Sequence, residues 1–134
     1  MKLINGKNAI LGRLASYVAK EALKGEELVI VNCENVIITG NKQAIRKDYK
    51  EKRDKVGSGQ KGPKVSRLTE QIVKRAIRGM FSNHRKGKGK EAYKRIKCYV
   101  GIPKEFESVE KIYMEEKNKR KYVRVKEISL KWKK

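Results

Sequence analysis

Several patterns in this chain are of types that do chemistry. Gly57-Ser-Gly-Gln-Lys-Gly62 matches by letter the G-x-G-x-x-G loop that cradles a dinucleotide pyrophosphate. That chemistry needs a buried strand before the first glycine and a helix opening at the last. Here Glu51-Lys-Arg-Asp-Lys-Val56 precedes the loop and Pro63 follows it. The segment therefore reads as an exposed basic loop whose glycines let backbone amides approach phosphate. Gly87-Lys-Gly-Lys90 lacks the upstream glycine and the following Ser or Thr of a Walker loop. His84 is the one histidine, set in Asn83-His-Arg-Lys-Gly-Lys-Gly-Lys90. It reads either as a phosphate or base contact or as a solvated loop residue. With Cys33 and Cys98 it makes too small a ligand set for tetrahedral zinc. Each cysteine has apolar neighbours, and the pair reads as buried, reduced thiols behaving as small hydrophobes. No serine stands in a nucleophile elbow, and the acidic residues mostly neighbour lysines. The expectation is no catalysis, no metal, no cofactor and no small-molecule substrate.

What remains is charge. Thirty-six Lys and Arg against fifteen Asp and Glu give +21 in 134 residues. Such an excess repels itself, and a polyanion relieves the repulsion while releasing counterions. It is concentrated in one part of the chain. Residues 1–40 hold five basic and four acidic side chains, residues 41–97 twenty and five, and residues 98–134 eleven and six. The first part reads as scaffold and the middle as binding surface. Arg46, Arg53, Arg67, Arg75, Arg78, Arg85 and Arg95 supply planar forks suited to phosphate or to stacking on bases. Asn41, Gln60 and Asn83 are candidates for sugar hydroxyls. Aromatic residues are sparse among these positions, so shape and backbone recognition of folded RNA fits better than single-strand stacking. No run approaches the ~20 apolar residues of a membrane span. Lys2 and Asn5 interrupt any apolar leader, which predicts a soluble intracellular protein.

The elements that must position these cations follow from apolar periodicity. Residues 2–5 predict a first strand. Leu11, Leu14, Ala15, Val18, Ala19, Ala22 and Leu23 recur at helical spacing over about residues 12–24, with Gly25 as the stop. Leu28-Val-Ile-Val31 is a continuous apolar run suited to a strand covered on both faces. Strand, helix, strand predicts a βαβ unit and a parallel sheet, hence an α/β fold. Val36-Ile-Ile-Thr39 is a further β-branched run. Residues 41–53 predict a polar helix with Lys42, Arg46, Lys50 and Arg53 on one side, and (i, i+4) pairs Lys47–Glu51 and Lys50–Asp54. Residues 55–64, with Lys55, Lys61 and Lys64, predict a loop. A helix over about 66–81 would bury Leu68, Ile72, Ala76 and Met80 and present Arg67, Gln71, Lys74 and Arg78, with Arg75 beside them. His84, Arg85, Lys86, Lys88 and Lys90 fall in a short basic loop. A short helix with Ala92, Ile96 and Tyr93 as its apolar residues then leads to a strand at 98–100. Residues 122–125 suit a strand or an extended tail, and the final Lys-Trp-Lys-Lys reads as peripheral.

Four stretches, taken together and in order, carry a resemblance. Gly12-Arg-Leu-Ala-Ser16, Val31-Asn-Cys-Glu-Asn-Val-Ile-Ile-Thr-Gly-Asn-Lys42, Ile72-Val-Lys-Arg-Ala-Ile-Arg-Gly-Met80 and Lys97-Cys-Tyr-Val-Gly101 resemble motifs of the universal large-subunit ribosomal protein family L thirteen. The likeness spans about residues 4–103. It implies a three-layer α/β/α sandwich around a mostly parallel sheet of about four strands. It implies docking onto large-subunit rRNA beside other ribosomal proteins in the cytoplasm, and no enzymatic activity. By position it makes Lys42, Arg75, Arg78 and the stretch 84–90 RNA-facing. Phe81-Ser82 replaces the commoner Leu-Pro, and Lys104-Glu-Phe106 stands where bacterial members have a His-rich segment. The end from Lys121-Tyr-Val123 looks more like the archaeal branch. The expected organisation is an rRNA-binding domain at 1–103 with a C-terminal extension, 104–134, packed on or beside it. The alternatives are a nucleotide-dependent enzyme using the Gly57–Gly62 loop and a general nucleic-acid-compacting protein.

Overall fold

The computed structural model describes residues 1–55, 57–60, 62, 66–115 and 121–128. Lys61, Lys64 and the final Lys-Trp-Lys-Lys lie outside the described residues. The chain begins with β1 (Lys2–Asn5), α1 (Leu11–Leu23) and β2 (Leu28–Val31). β1 and β2 pair in parallel from Lys2↔Leu28 to Asn5↔Val31, so the expected βαβ unit is present. All four residues of β2 are buried, as a strand covered on both faces requires. In α1, Leu11, Leu14, Ala15, Val18, Ala19 and Ala22 are buried, while Leu23 turns outward. Gly25 follows at φ 99°, a left-handed conformation that glycine takes without a Cβ penalty.

β3 (Ile37–Thr39), α2 (Lys42–Asp54), α3 (Thr69–Arg78) and α4 (Gly87–Lys94) come next, then β4 (Ile96–Cys98), β5 (Ile112–Tyr113), β6 (Tyr122–Arg124) and the single turn α5 (Val125–Ile128). The main sheet has the order β4-β2-β1-β5 with every pair parallel. β3 leaves that sheet and pairs antiparallel with β6, from Ile37↔Arg124 to Thr39↔Tyr122.

The pleat sends alternate residues to opposite faces. Ile4, Leu28 and Ile30 join the principal core with α1, with Ile72, Val73 and Ile77 of α3, and with Ala92 of α4. Leu3, Val29 and Val31 form a second cluster on the other face, against which Tyr99 and Phe106 pack. That outer layer is thin: its covering segment holds one 3-10 turn, Lys104–Phe106. From the C-terminal part, Val123, Val125 and Ile128 enter the principal core.

Three local expectations are corrected. The buried face of α3 is centred on Thr69, Ile72, Val73 and Ile77. Leu68 and Met80 are 38% and 47% exposed, because the helix starts after the one and ends before the other. Residues 87–90 are the first turn of α4 and not loop. Two glycines in that turn argue against helix by propensity, but one of them is required there. A Cβ on Gly89 would overlap the carbonyl oxygen of Asn83, so only glycine lets the preceding turn close on the helix. β4 begins at Ile96, two residues earlier than its apolar run suggests, because α4 feeds it through Arg95 alone.

Candidate nucleic-acid interface

The cations of the middle segment stand on α2, α3, α4 and their connections, in the layer built on the principal core. α2 buries no residue completely. Only Ile45 and Tyr49 lean on the core, so the rest of its surface is free to carry charge. Asn41 caps it, its Oδ1 accepting from Gln43 N at 2.9 Å. Asn83 likewise accepts from Arg85 N at 3.0 Å. Both side chains, expected at sugar hydroxyls, are engaged with their own backbone, as short polar side chains favour at turns and caps.

Arg46, Lys47, Lys50, Arg53 and Arg67 line one cavity of about 320 Å³, with Asp54 and Ile128. Arg53 is its innermost cation. Its Nη2 donates to Ile128 O at 2.6 Å, and its Nε is buried without a partner. Loss of water contact lowers the affinity of this guanidinium for its proton, and the nearby Arg67 lowers it further. Cations gathered this way are stabilised by an anion seated among them. A second cleft, about 180 Å³, lies between α2 and α3 and is lined by Tyr49, Lys52, Ser66, Ile72, Arg75 and Ala76. Lys52 and Arg53 approach the Tyr49 ring at 5.3 and 5.9 Å, and desolvation raises the Tyr49 phenol above its ordinary value.

A third cluster forms where α3 meets α4. Lys74 Nζ lies 4.9 Å from the centre of the Tyr93 ring, and His84 meets the same ring edge-on at 6.3 Å. Desolvation, then Arg78 and Arg85, hold the imidazole below its ordinary value. Arg75, Arg85, Lys86, Lys88 and Lys90 are exposed around this cluster, while Lys74, Arg78 and His84 are half-buried. Lys55 is exposed at the end of α2.

Two expected RNA contacts are tied elsewhere. Lys42 Nζ pairs with Glu127 at 3.2 Å, and Glu127 also accepts from Arg124 N at 2.9 Å. That backbone hydrogen bond first, and Lys42 second, keep the Glu127 carboxyl below its ordinary value. Arg95 is half-buried and its Nη1 donates to Ala22 O at 3.1 Å, joining the end of α4 to the end of α1. On α2 Lys52 pairs with Asp48 at 3.1 Å, one turn apart. Sequence reasoning missed Lys47 and Lys52, which line the two clefts, and Tyr49 and Tyr93, on which cations rest. The (i, i+3) spacing of Lys47 with Lys50 was the available signal.

The loop with dinucleotide-like spacing follows helix α2 rather than a strand, and Ser58–Gln60 form a 3-10 turn with Gly59 at φ 60°. It lacks the strand-to-helix setting that a pyrophosphate cradle needs. Among the described residues no group of His, Cys, Asp and Glu is arranged to hold a metal ion. No described helix is long and apolar enough to cross a membrane. Cys33 and Cys98 are both free thiols, the first buried and the second half-buried. Cys33 Sγ donates to Ile30 O at 3.6 Å, and the influence of the Cys98 thiol together with burial pushes the Cys33 thiol well up.

A parallel α/β sheet that gathers cations on one helical layer, around two clefts, has the build of a polyanion-binding structural domain. The chain belongs to the family described as Ribosomal protein L13, which matches residues 1–105. It is 49% identical over 132 residues to the large ribosomal subunit protein uL13 of Methanocaldococcus jannaschii, covering 96% of this chain and 95% of the relative. The protein of the same name from Methanococcus maripaludis is 46% identical, with 96% and 95% covered. That of Archaeoglobus fulgidus is 41% identical, with 95% and 84% covered. The resemblance drawn from the four motifs is correct at the level of family and of archaeal type.

Proposed function

We infer that this chain is a structural constituent of the large ribosomal subunit, in the cytoplasm, where it binds rRNA and supports assembly. It is a structural protein and not an enzyme, as the family is. One observation carries the RNA reading. Arg46, Lys50, Arg53 and Arg67 come from two separate stretches of chain and converge on one cavity, with a buried guanidinium donor left unpartnered inside it. Phosphate oxygens satisfy such donors with charge-assisted hydrogen bonds. Arg75, Arg78 and the turn around His84 extend the same surface toward α4. Neighbouring ribosomal proteins complete its surroundings.

The test is binding to large-subunit rRNA across a salt series, with bulk tRNA and duplex DNA as competitors. If about eight phosphates are neutralised, log affinity falls with log salt at a slope of about −6 to −7. Replacing Arg75 and Arg78 together by Gln reduces that slope by about 2 without changing the circular dichroism spectrum. Equal competition by all three polyanions would instead make this a general nucleic-acid-compacting protein. Saturable binding of NAD or ATP would reopen the enzyme reading.

A further inference from the structure

After β4 the chain crosses from one edge of the sheet to the other and returns as β5, passing over the Leu3, Val29 and Val31 face. This crossing differs from the rest of the protein in two independent ways. Ten large hydrophobic side chains are exposed among the described residues, and five of them, Val100, Ile102, Val109, Ile112 and Tyr113, stand within it. Tyr113 is 69% exposed, the most of the ten. Secondly, residues 98–115 hold two basic and four acidic side chains in a chain of net charge +21. One of the two lysines is engaged with its own loop: Lys111 Nζ donates to the carbonyls of Glu107 and Val109 at 3.2 and 3.1 Å. Glu105, Glu107 and Glu110 are exposed.

We infer that this outer face docks a neighbouring protein of the large subunit, one that presents Lys and Arg beside apolar side chains. The inference rests on the ribosomal reading above. Phosphate is repelled by three exposed carboxylates, so RNA is the wrong partner for this face. The same charge repels an anionic lipid surface. In β5, Tyr113 pairs with Asn5 and so shares the outer face with Leu3, whereas Ile112 pairs with Ile4 and lies on the other face. Exposed apolar side chains beside charge are the anatomy of a protein interface, with the apolar part excluding water and the charges choosing the partner. Tyr is enriched among residues that anchor such interfaces. β5 is also the terminal strand of the sheet in its described order, which leaves an edge for backbone pairing. The protein thus reads as two-sided, with RNA on the helical layer and protein on the outer layer.

A photoreactive p-benzoylphenylalanine is placed at position 113 and, in a second preparation, at position 88. Each full-length protein is assembled into large subunits from rRNA and total large-subunit proteins, and irradiated. The expected adduct at 113 is to another ribosomal protein, at a segment containing Lys or Arg, and the adduct at 88 is to rRNA. Combining Glu105→Lys, Glu107→Lys and Glu110→Lys lowers the protein adduct at 113 by about tenfold and leaves the RNA adduct at 88 intact. An RNA adduct at 113, an adduct to a second copy of this chain, no adduct, or an adduct indifferent to the charge reversal would each overturn the proposal. Loss of the RNA adduct at 88 with the protein adduct at 113 retained would overturn the rRNA reading instead.

Discussion

Two stretches of this chain leave the sheet and return to it, and they are built by opposite rules. Residues 41–97 carry twenty basic and five acidic side chains and fold as three helices whose apolar residues point into the principal core. Residues 98–115 carry a small acidic excess, contain one 3-10 turn and a two-residue strand, and leave five large apolar side chains in the open. The helices separate the two needs of a nucleic-acid-binding layer, because a 3.6-residue period gives each one a face for the core and a face for charge. The crossing has no such period. Phe106 and Tyr99 cover Leu3, Val29 and Val31, and much of the remaining apolar surface stays outside. The difference teaches that net charge describes the molecule poorly: residues 41–97, with twenty basic against five acidic side chains, hold +15 of the +21.

The largest expected effect separates the two layers by charge. Replacing Arg46, Lys50, Arg53 and Arg67 together by Gln lowers the steepness of the salt dependence of rRNA binding by about 3 to 4, with the fold retained. Replacing Glu105, Glu107 and Glu110 by Gln leaves that slope unchanged for the isolated protein. Equal effects from the two sets would erase the comparison. A titration at several salt concentrations, with circular dichroism on each variant, decides it.

A smaller effect sharpens the comparison at the C-terminal end of α3, between a residue inside the helix and one just past it. Ile77 is fully buried, whereas Met80 lies beyond the helix and is 47% exposed. Ile77→Ala costs about 2–5 kcal/mol of stability through lost burial and the cavity left behind. Met80→Ala stays within about 0.5 kcal/mol. Urea denaturation of both variants measures the pair, and a reversed order would mean that the helix is rotated toward the face its sequence suggested.

That rotation marks where the sequence was legible and where it was not. β1, α1 and β2 were readable because each is apolar enough to identify its own period, down to Gly25 as the stop. In α3 several apolar faces compete, since Leu68, Ile72, Ala76 and Met80 fit one stripe and Ile72, Val73 and Ile77 another. Only the places where the helix begins and ends choose between them. The start of α4 was hidden because Gly87 and Gly89 resist helix locally. The need for Gly89 arises from Asn83, outside the helix. The antiparallel pairing of β3 with β6 joins residues some 85 positions apart, and nothing local announces it. The same holds for the site. Counting charge located the binding layer, but which cations are tied down depends on distant partners. Glu127 takes Lys42, and the carbonyl of Ala22 takes Arg95. The outer layer left no periodic trace, so its apolar surface became visible only once the crossing was seen over the sheet.

The smallest expected effect tests the helical layer through its one histidine. In the free protein, desolvation and the charges of Arg78 and Arg85 hold His84 below its ordinary value of 6.5. In the unfolded chain these causes are absent. As pH falls through the ordinary value and on through the lowered one, the unfolded state binds the proton more readily. The contribution of His84 to stability is therefore present above 6.5 and lost as pH falls. A phosphate seated beside Arg78 and Arg85 opposes the same repulsion and raises the imidazole pKa, so the complex takes up a proton. Affinity for rRNA then rises over the pH window in which the fold weakens. No residue of the 98–115 crossing is a histidine, so the opposed pH trends belong to the helical layer. His84→Gln should flatten both trends between about pH 5 and 7, with affinity followed by filter binding and stability by thermal melts. Parallel trends in the parent protein, or trends that survive the substitution, would remove phosphate from the turn around His84.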